Sequence, residues 1–224
     1  MTLLEEIDIA QAALDACRRK LEKIQNYYSA PQHEMYRYYH IMKPKQAEKF
    51  IEGWVATQIG GKKIESNLVS DEYKQNDNGD IWVGDKFEIG KNNIELKSSF
   101  NGDTGIGGGQ FRFYENVPYY MLYKAWNIDR HEMFLLSKAQ LINEIITRAE
   151  QSGRSAFVSS QGSGVISKLD NSQKIDRLRK NLTGEFQDKL GWSFNPNTEI
   201  EFYESFKNKY LVSRDKVNGI VNGI

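Results

Sequence analysis

The stretch NIELKSSF, Asn93 to Phe100, decides how the rest of the chain is read. As a strand, its alternation sends Ile94 and Leu96 to one face and Glu95 and Lys97 to the other. Asp80, in NGDIWV just upstream, opens a second short strand in which Ile81 and Val83 point one way and Asp80 and Trp82 the other. If the two strands are neighbours, the carboxyls of Asp80 and Glu95 converge at one end of a sheet. Two close carboxylates repel each other unless one takes up a proton or a cation lies between them. Oxygen ligands with open water positions suit Mg²⁺, for which Mn²⁺ can substitute. Lys97, on the face of Glu95, would then orient or deprotonate a water, or neutralise a phosphate oxygen. The plain alternative is a surface ion pair contributing ~0–1 kcal/mol.

The flanking pattern predicts an α/β domain, a mixed sheet flanked by helices. A helix is expected from Lys45 to Ile59, with Ala47, Phe50, Ile51, Trp54 and Val55 as its apolar stripe and Gly60-Gly61 at its end. Glu48 and Glu52 flank that stripe. Lys86 to Ile89 (KFEI), the turn GKNN and Ile94 to Ser98 read as a hairpin. Tyr119 to Trp126 and Glu132 to Leu136 read as further strands, and Ser137 as the N-cap of the helix KAQLINEIITRAEQ. Three regions follow: 1–44, helical and suited to dimerisation; 45–150, the chemical core; and 151–224, with elements for recognising a ligand.

Asp80, then fourteen residues, then Glu95-Leu96-Lys97 resembles the PD-(D/E)xK nuclease signature, with the tripeptide on the second strand of a hairpin. Gly79 stands where that motif usually has proline. The resemblance implies a restriction-endonuclease-like core in which Asp80 and Glu95 hold Mg²⁺ and Lys97 serves the attacking water. It also implies a glutamate from the preceding helix, Glu52 or Glu48, and a polar pair after the motif strand, Gln110 and Arg112, near the scissile phosphate. The expected activity is that of a type II restriction endonuclease, a homodimer cutting double-stranded DNA at a short site. A structure-specific repair or recombination nuclease is the second expectation. A non-enzymatic protein anchored by a coiled coil is the third.

Other chemistries lack their residues. GIGGGQ opens a GxGxxG pattern, but Gln110 takes the third glycine's place and no GK[ST] follows, so nucleotide-loop readings fail. A flexible glycine loop approaching DNA closely is expected there instead. Three histidines show no metal spacing, there is no G-x-S-x-G elbow, and nothing marks a glycosidase pair. Cys17 is the only cysteine, which excludes an intramolecular disulfide framework.

The chain has 224 residues, 39% hydrophobic and 27% charged, with no net charge. DNA binding therefore needs a local basic groove rather than a global attraction. Candidate DNA contacts are Ser160, Gln161, Ser163 and Lys168 in a Ser/Gly/Gln loop, and Arg177, Arg179 and Lys180 on the helix after it. The aromatic stretch Ser29 to His40 offers either base stacking or packing between a helix and the sheet. Leu3, Ala10, Cys17 and Ile24 alternate with Ile7, Leu14, Leu21 and Tyr28 to form a heptad seam, a dimerisation candidate. Neither a membrane span nor a signal peptide is evident, and a cytoplasmic location is expected. The last eight residues, VNGIVNGI, read as a hairpin or a frayed end.

Overall fold

The computed structural model describes residues 3–28, 32–42, 44–64, 78–100, 105–152, 170–183 and 189–222. In chain order the elements are α1 (Leu3–Tyr28), α2 (Gln32–Ile41), α3 (Pro44–Gln58), β1 (Lys62–Lys63), β2 (Ile81–Trp82), β3 (Asn93–Ser99), β4 (Ile106–Arg112), β5 (Tyr119–Ala125) and β6 (His131–Ser137). They continue as α4 (Lys138–Ser152), α5 (Asn171–Leu182), β7 (Lys189–Phe194), α6 (Ile200–Tyr210) and α7 (Arg214–Asn222).

Five strands make a mixed sheet in the order β1-β2-β3-β5-β6. β2 runs antiparallel to β3, with Ile81 opposite Ile94. β3 runs parallel to β5, which sets Glu95 beside Tyr120 and Lys97 beside Leu122. β5 and β6 are antiparallel. β4 and β7 form a separate antiparallel ribbon.

Both faces of the main sheet are packed, so its central strands are buried almost throughout. On one face Ile81, Val83, Ile94, Leu96, Met121 and Leu135 meet Ala47, Ile51, Trp54 and Val55 of α3, along with Val217 and Val221 of α7. On the other, Tyr120, Leu122, Phe134 and Leu136 meet Leu141, Ile142 and Ile145 of α4, Phe206 of α6, and Phe111, Trp192 and Phe194 of the ribbon. Glu95 and Lys97 belong to this second face, where apolar cover gives way to polar side chains.

Local chemistry explains the elements. Ser137 Oγ accepts the Gln140 N–H at 3.2 Å, and the Gln140 side chain accepts the Ser137 N–H at 2.8 Å, a reciprocal cap that starts α4. Asp170 and Gln173 cap α5 in the same way. The tyrosines of α2 pack rather than stand free: Tyr36 and Tyr39 stack on Phe100.

Three expectations are corrected. KFEI is not a strand; the hairpin partner of β3 is β2 itself. The buried Asn92 amide donates to Val83 O and Lys86 O, both at 2.7 Å, and folds residues 83–92 into a loop. The glycine-rich segment is not a loop where it is described but strand β4, held by β7. Most of the final repeat lies in α7, because Val217 and Val221, four apart, bury one helical face. Among the described residues, no helix is long and apolar enough to cross a membrane.

Candidate active site

Gly79 determines how Asp80 enters the sheet. Its φ of +85° is a left-handed conformation, and a Cβ there would lie 2.8 Å from Ile94 O. Proline, locked near −65°, cannot take this backbone. The buried Asn93 amide secures the same bend by donating to Asn78 O at 2.6 Å and to Asn116 O.

Asp80 then grips the backbone of β3 at two points. Its N–H donates to Ile94 O at 2.9 Å, and its Oδ2 accepts the Leu96 N–H at 2.7 Å. These bonds bracket Glu95, so the Asp80 carboxyl is held beside the residue whose charge it most opposes. Glu95 is buried, 3% exposed. Its Oε1 accepts from Lys97 Nζ at 2.5 Å, while its Oε2 is buried and takes no hydrogen bond among the described residues. Lys97 keeps 21% of its side chain accessible. Its stem lies under Gly108 of β4, where a Cβ would sit 3.0 Å from Lys97 Cδ.

Glu52 approaches from α3 and is ion-paired with Lys63 at 2.5 Å. Its charge is felt at Asp80; the side chain of Glu48, the other candidate, lies outside the described ones. Burial pushes the Asp80 carboxyl well above the ordinary carboxylate range, and Glu95 and then Glu52 push it further. Lys97 and the Leu96 N–H oppose that rise without cancelling it.

The donor set suits a hard cation. Two carboxylates with too little positive charge between them are relieved by a divalent ion, and Mg²⁺ is commonly held by one or two carboxylates, with water and phosphate oxygens completing the shell. Among the described residues no group of three His, Cys, Asp or Glu side chains forms a fuller metal cage.

Of the other predicted residues, only Arg112, Arg177, Arg179 and Lys180 have described side chains. Arg112, at the far end of β4, donates to the Tyr114 hydroxyl and lies against that ring. The side chain of its neighbour Gln110 lies outside the described ones. Ser160, Gln161, Ser163 and Lys168 also lie outside the described residues. Arg177, Arg179 and Lys180 sit on α5, where Arg179 bonds Glu150 and Asp176, each at 3.1 Å.

One lysine escaped the sequence reading. Lys124 is fully buried on β5 and donates to Ser99 Oγ at 3.2 Å. Ser99 follows Lys97 by two and faces the same side, and Lys124 is its partner in register. The alternation of β3 was the available signal, but a lysine inside YYMLYKA reads as exposed.

Comparison with protein-family models found no match to the chain, and none of the curated proteins or solved structures compared with it matches either.

Proposed function

We propose that the chain is a Mg²⁺-dependent endodeoxyribonuclease with a restriction-endonuclease-like core, most simply a type II enzyme cutting double-stranded DNA at a short site. One observation carries the reading: Asp80 is fastened to the β3 backbone on both sides of Glu95, with Lys97 ion-paired to Glu95 and still partly open to solvent. A structural ion pair needs no second carboxyl group pressed against it. A site for a cation and a phosphodiester does.

Asp80 and Glu95 would hold the metal. When bound, it supplies positive charge at a phosphate oxygen and lowers the pKa of a coordinated water. Glu95 Oε1 positions the Lys97 ammonium. From there Lys97 donates to a phosphate oxygen or to the water that attacks phosphorus, and it balances charge as the P–O bond to the leaving oxygen breaks. Glu52 adds negative charge behind Asp80, and Lys63 keeps it in place. A homodimer would present two such sites to the two strands of a palindrome.

The test is incubation of the purified protein with unmodified phage DNA and Mg²⁺, alongside Glu95→Ala and Lys97→Ala. Discrete, sequence-defined fragments from the wild type alone are expected. Cleavage confined to branched or damaged DNA would make it a repair nuclease. No cleavage on any substrate, or full activity in both variants, would overturn the reading.

A further inference from the structure

The first half of α1 is an arm. Every residue from Glu6 to Ala16 is exposed, including Ile7 at 54% and Leu14 at 64%. The helix is 26 residues long, about 39 Å at 1.5 Å per residue. Ile7, Ala10 and Leu14 lie on one side of it at heptad spacing, continuing to Cys17 and Leu21. Helical stability in water comes mostly from packing such a face, and from Glu6 to Ala16 that face is exposed, although α1 also contacts α3.

The charges along α1 are segregated. From Leu3 to Ala16 there are four acidic residues, Glu5, Glu6, Asp8 and Asp15, and no lysine or arginine. From Cys17 to Tyr28 there are four basic residues, Arg18, Arg19, Lys20 and Lys23, against Glu22 alone. A parallel partner would set acid on acid and base on base. A second copy running antiparallel sets each acidic half on a basic one.

We infer that α1 is an antiparallel pairing surface for a second copy of this chain, with the two-fold axis near Ala12. In that register Ile7 faces Cys17 of the second copy and Ala10 faces its Leu14, so a small residue meets a large one across the axis. Glu5 and Glu6 come beside Arg19 and Arg18. A register one heptad longer would set Ile7 against Ile24 and place Glu5 and Glu6 beside Asn26 and Gln25, leaving Asp8 beside Lys23 as its one matched acid–base pair. The inference deepens the homodimer of the proposed function and rests on it only in requiring two copies. Association is measured without DNA, so the two readings fail separately.

Sedimentation velocity of the full chain at tens of micromolar is expected to give a dimer, and Ile7→Asp/Leu14→Asp a monomer. Both positions are exposed, so the thermal transition of the body should persist in that variant. Native Cys17 reports the orientation. Under mild oxidation Ile7→Cys should form a covalent dimer through Cys17 of the other copy. Wild type and Ile7→Cys/Cys17→Ser should not, because identical positions lie ten residues apart, about 15 Å along the axis. A monomeric wild type, a dimer that survives the double aspartate variant, or cross-linking of Ile7→Cys/Cys17→Ser would each overturn the inference.

Discussion

The sheet carries two buried carboxylate centres on one face, and they are built in opposite ways. Glu132, on β6, is surrounded by donors: Trp126 Nε1 at 2.7 Å, Arg130 Nη2 at 3.0 Å and the Tyr203 hydroxyl at 2.8 Å, with Lys207 Nζ at 3.4 Å. Burial raises its pKa, but those hydrogen bonds more than offset the effect and leave it below the ordinary value. Asp80 receives one backbone N–H and faces Glu95 and Glu52, so its pKa is pushed up. A folded chain that only needed stability would finish both centres in the first manner. The second sets carboxyls against one another, and the proposed cation site rests on that opposition.

The largest expected effect is catalytic. Asp80→Asn or Lys97→Ala should lower the DNA cleavage rate by about 10²–10⁴-fold, whereas Glu132→Gln should leave kcat within a few-fold at a temperature where it is folded. Single-turnover digestion of a defined duplex measures both. Stability should show the reverse order. Glu132→Ala leaves Trp126 and Tyr203 without their acceptor and Arg130 with only the Tyr203 hydroxyl, and should cost about 2–4 kcal/mol in urea denaturation.

A third outcome concerns the cation. Mg²⁺ at a hundredfold excess over its Kd should stabilise wild type by about 2.7 kcal/mol and leave Asp80→Asn nearly unmoved, read from melting temperature against Mg²⁺ concentration. An equal response from both proteins would remove Asp80 from the ligand set.

The smallest effect is electrostatic and depends on pH. Without divalent ions Asp80→Asn should melt later than wild type at neutral pH, by about 1 kcal/mol. The raised pKa means that the folded state binds this proton more tightly than the unfolded chain. The associated stability is therefore full below the ordinary value of 3.8 and is lost as pH rises through the folded value. The advantage of the asparagine variant should shrink on acidification. Glu132 behaves oppositely: its contribution is present above its ordinary 4.5 and disappears as pH falls through the lowered folded value. Melting curves of the two variants across pH 3 to 8 should therefore diverge from wild type in opposite senses.

The strand and helix that carry the Asp80 centre were legible in the sequence, whereas the Glu132 centre depended on partners far away in the chain. The alternation of Ile94, Glu95, Leu96 and Lys97 is local physics, and so are the stripe of α3 and the Ser137 cap; all three appear as read. KFEI misled because its alternation was genuine, while the side chain that overrides it, Asn92, satisfies the backbone from outside the strand pattern. The run Ile106 to Arg112 misled because glycine has no side chain to declare a strand. Its strand character comes from pairing with β7, some eighty residues on. The pairing of Glu52 with Lys63 joins α3 to β1 and could not be read from either segment alone. Lys124 is a charge in a central strand, readable only after its register with Ser99 is known.

Gly108 has a mechanical consequence. With no side chain of its own, it lets the β4–β7 ribbon rest directly on the hydrocarbon stem of Lys97, so the ribbon sets how far the ammonium reaches. Displacement of that ribbon by a bound duplex would be felt at Nζ as a change of position, while Asp80 and Glu95 stay fastened to β3. The lysine is thus the member of the trio that touches both the ribbon and a carboxylate.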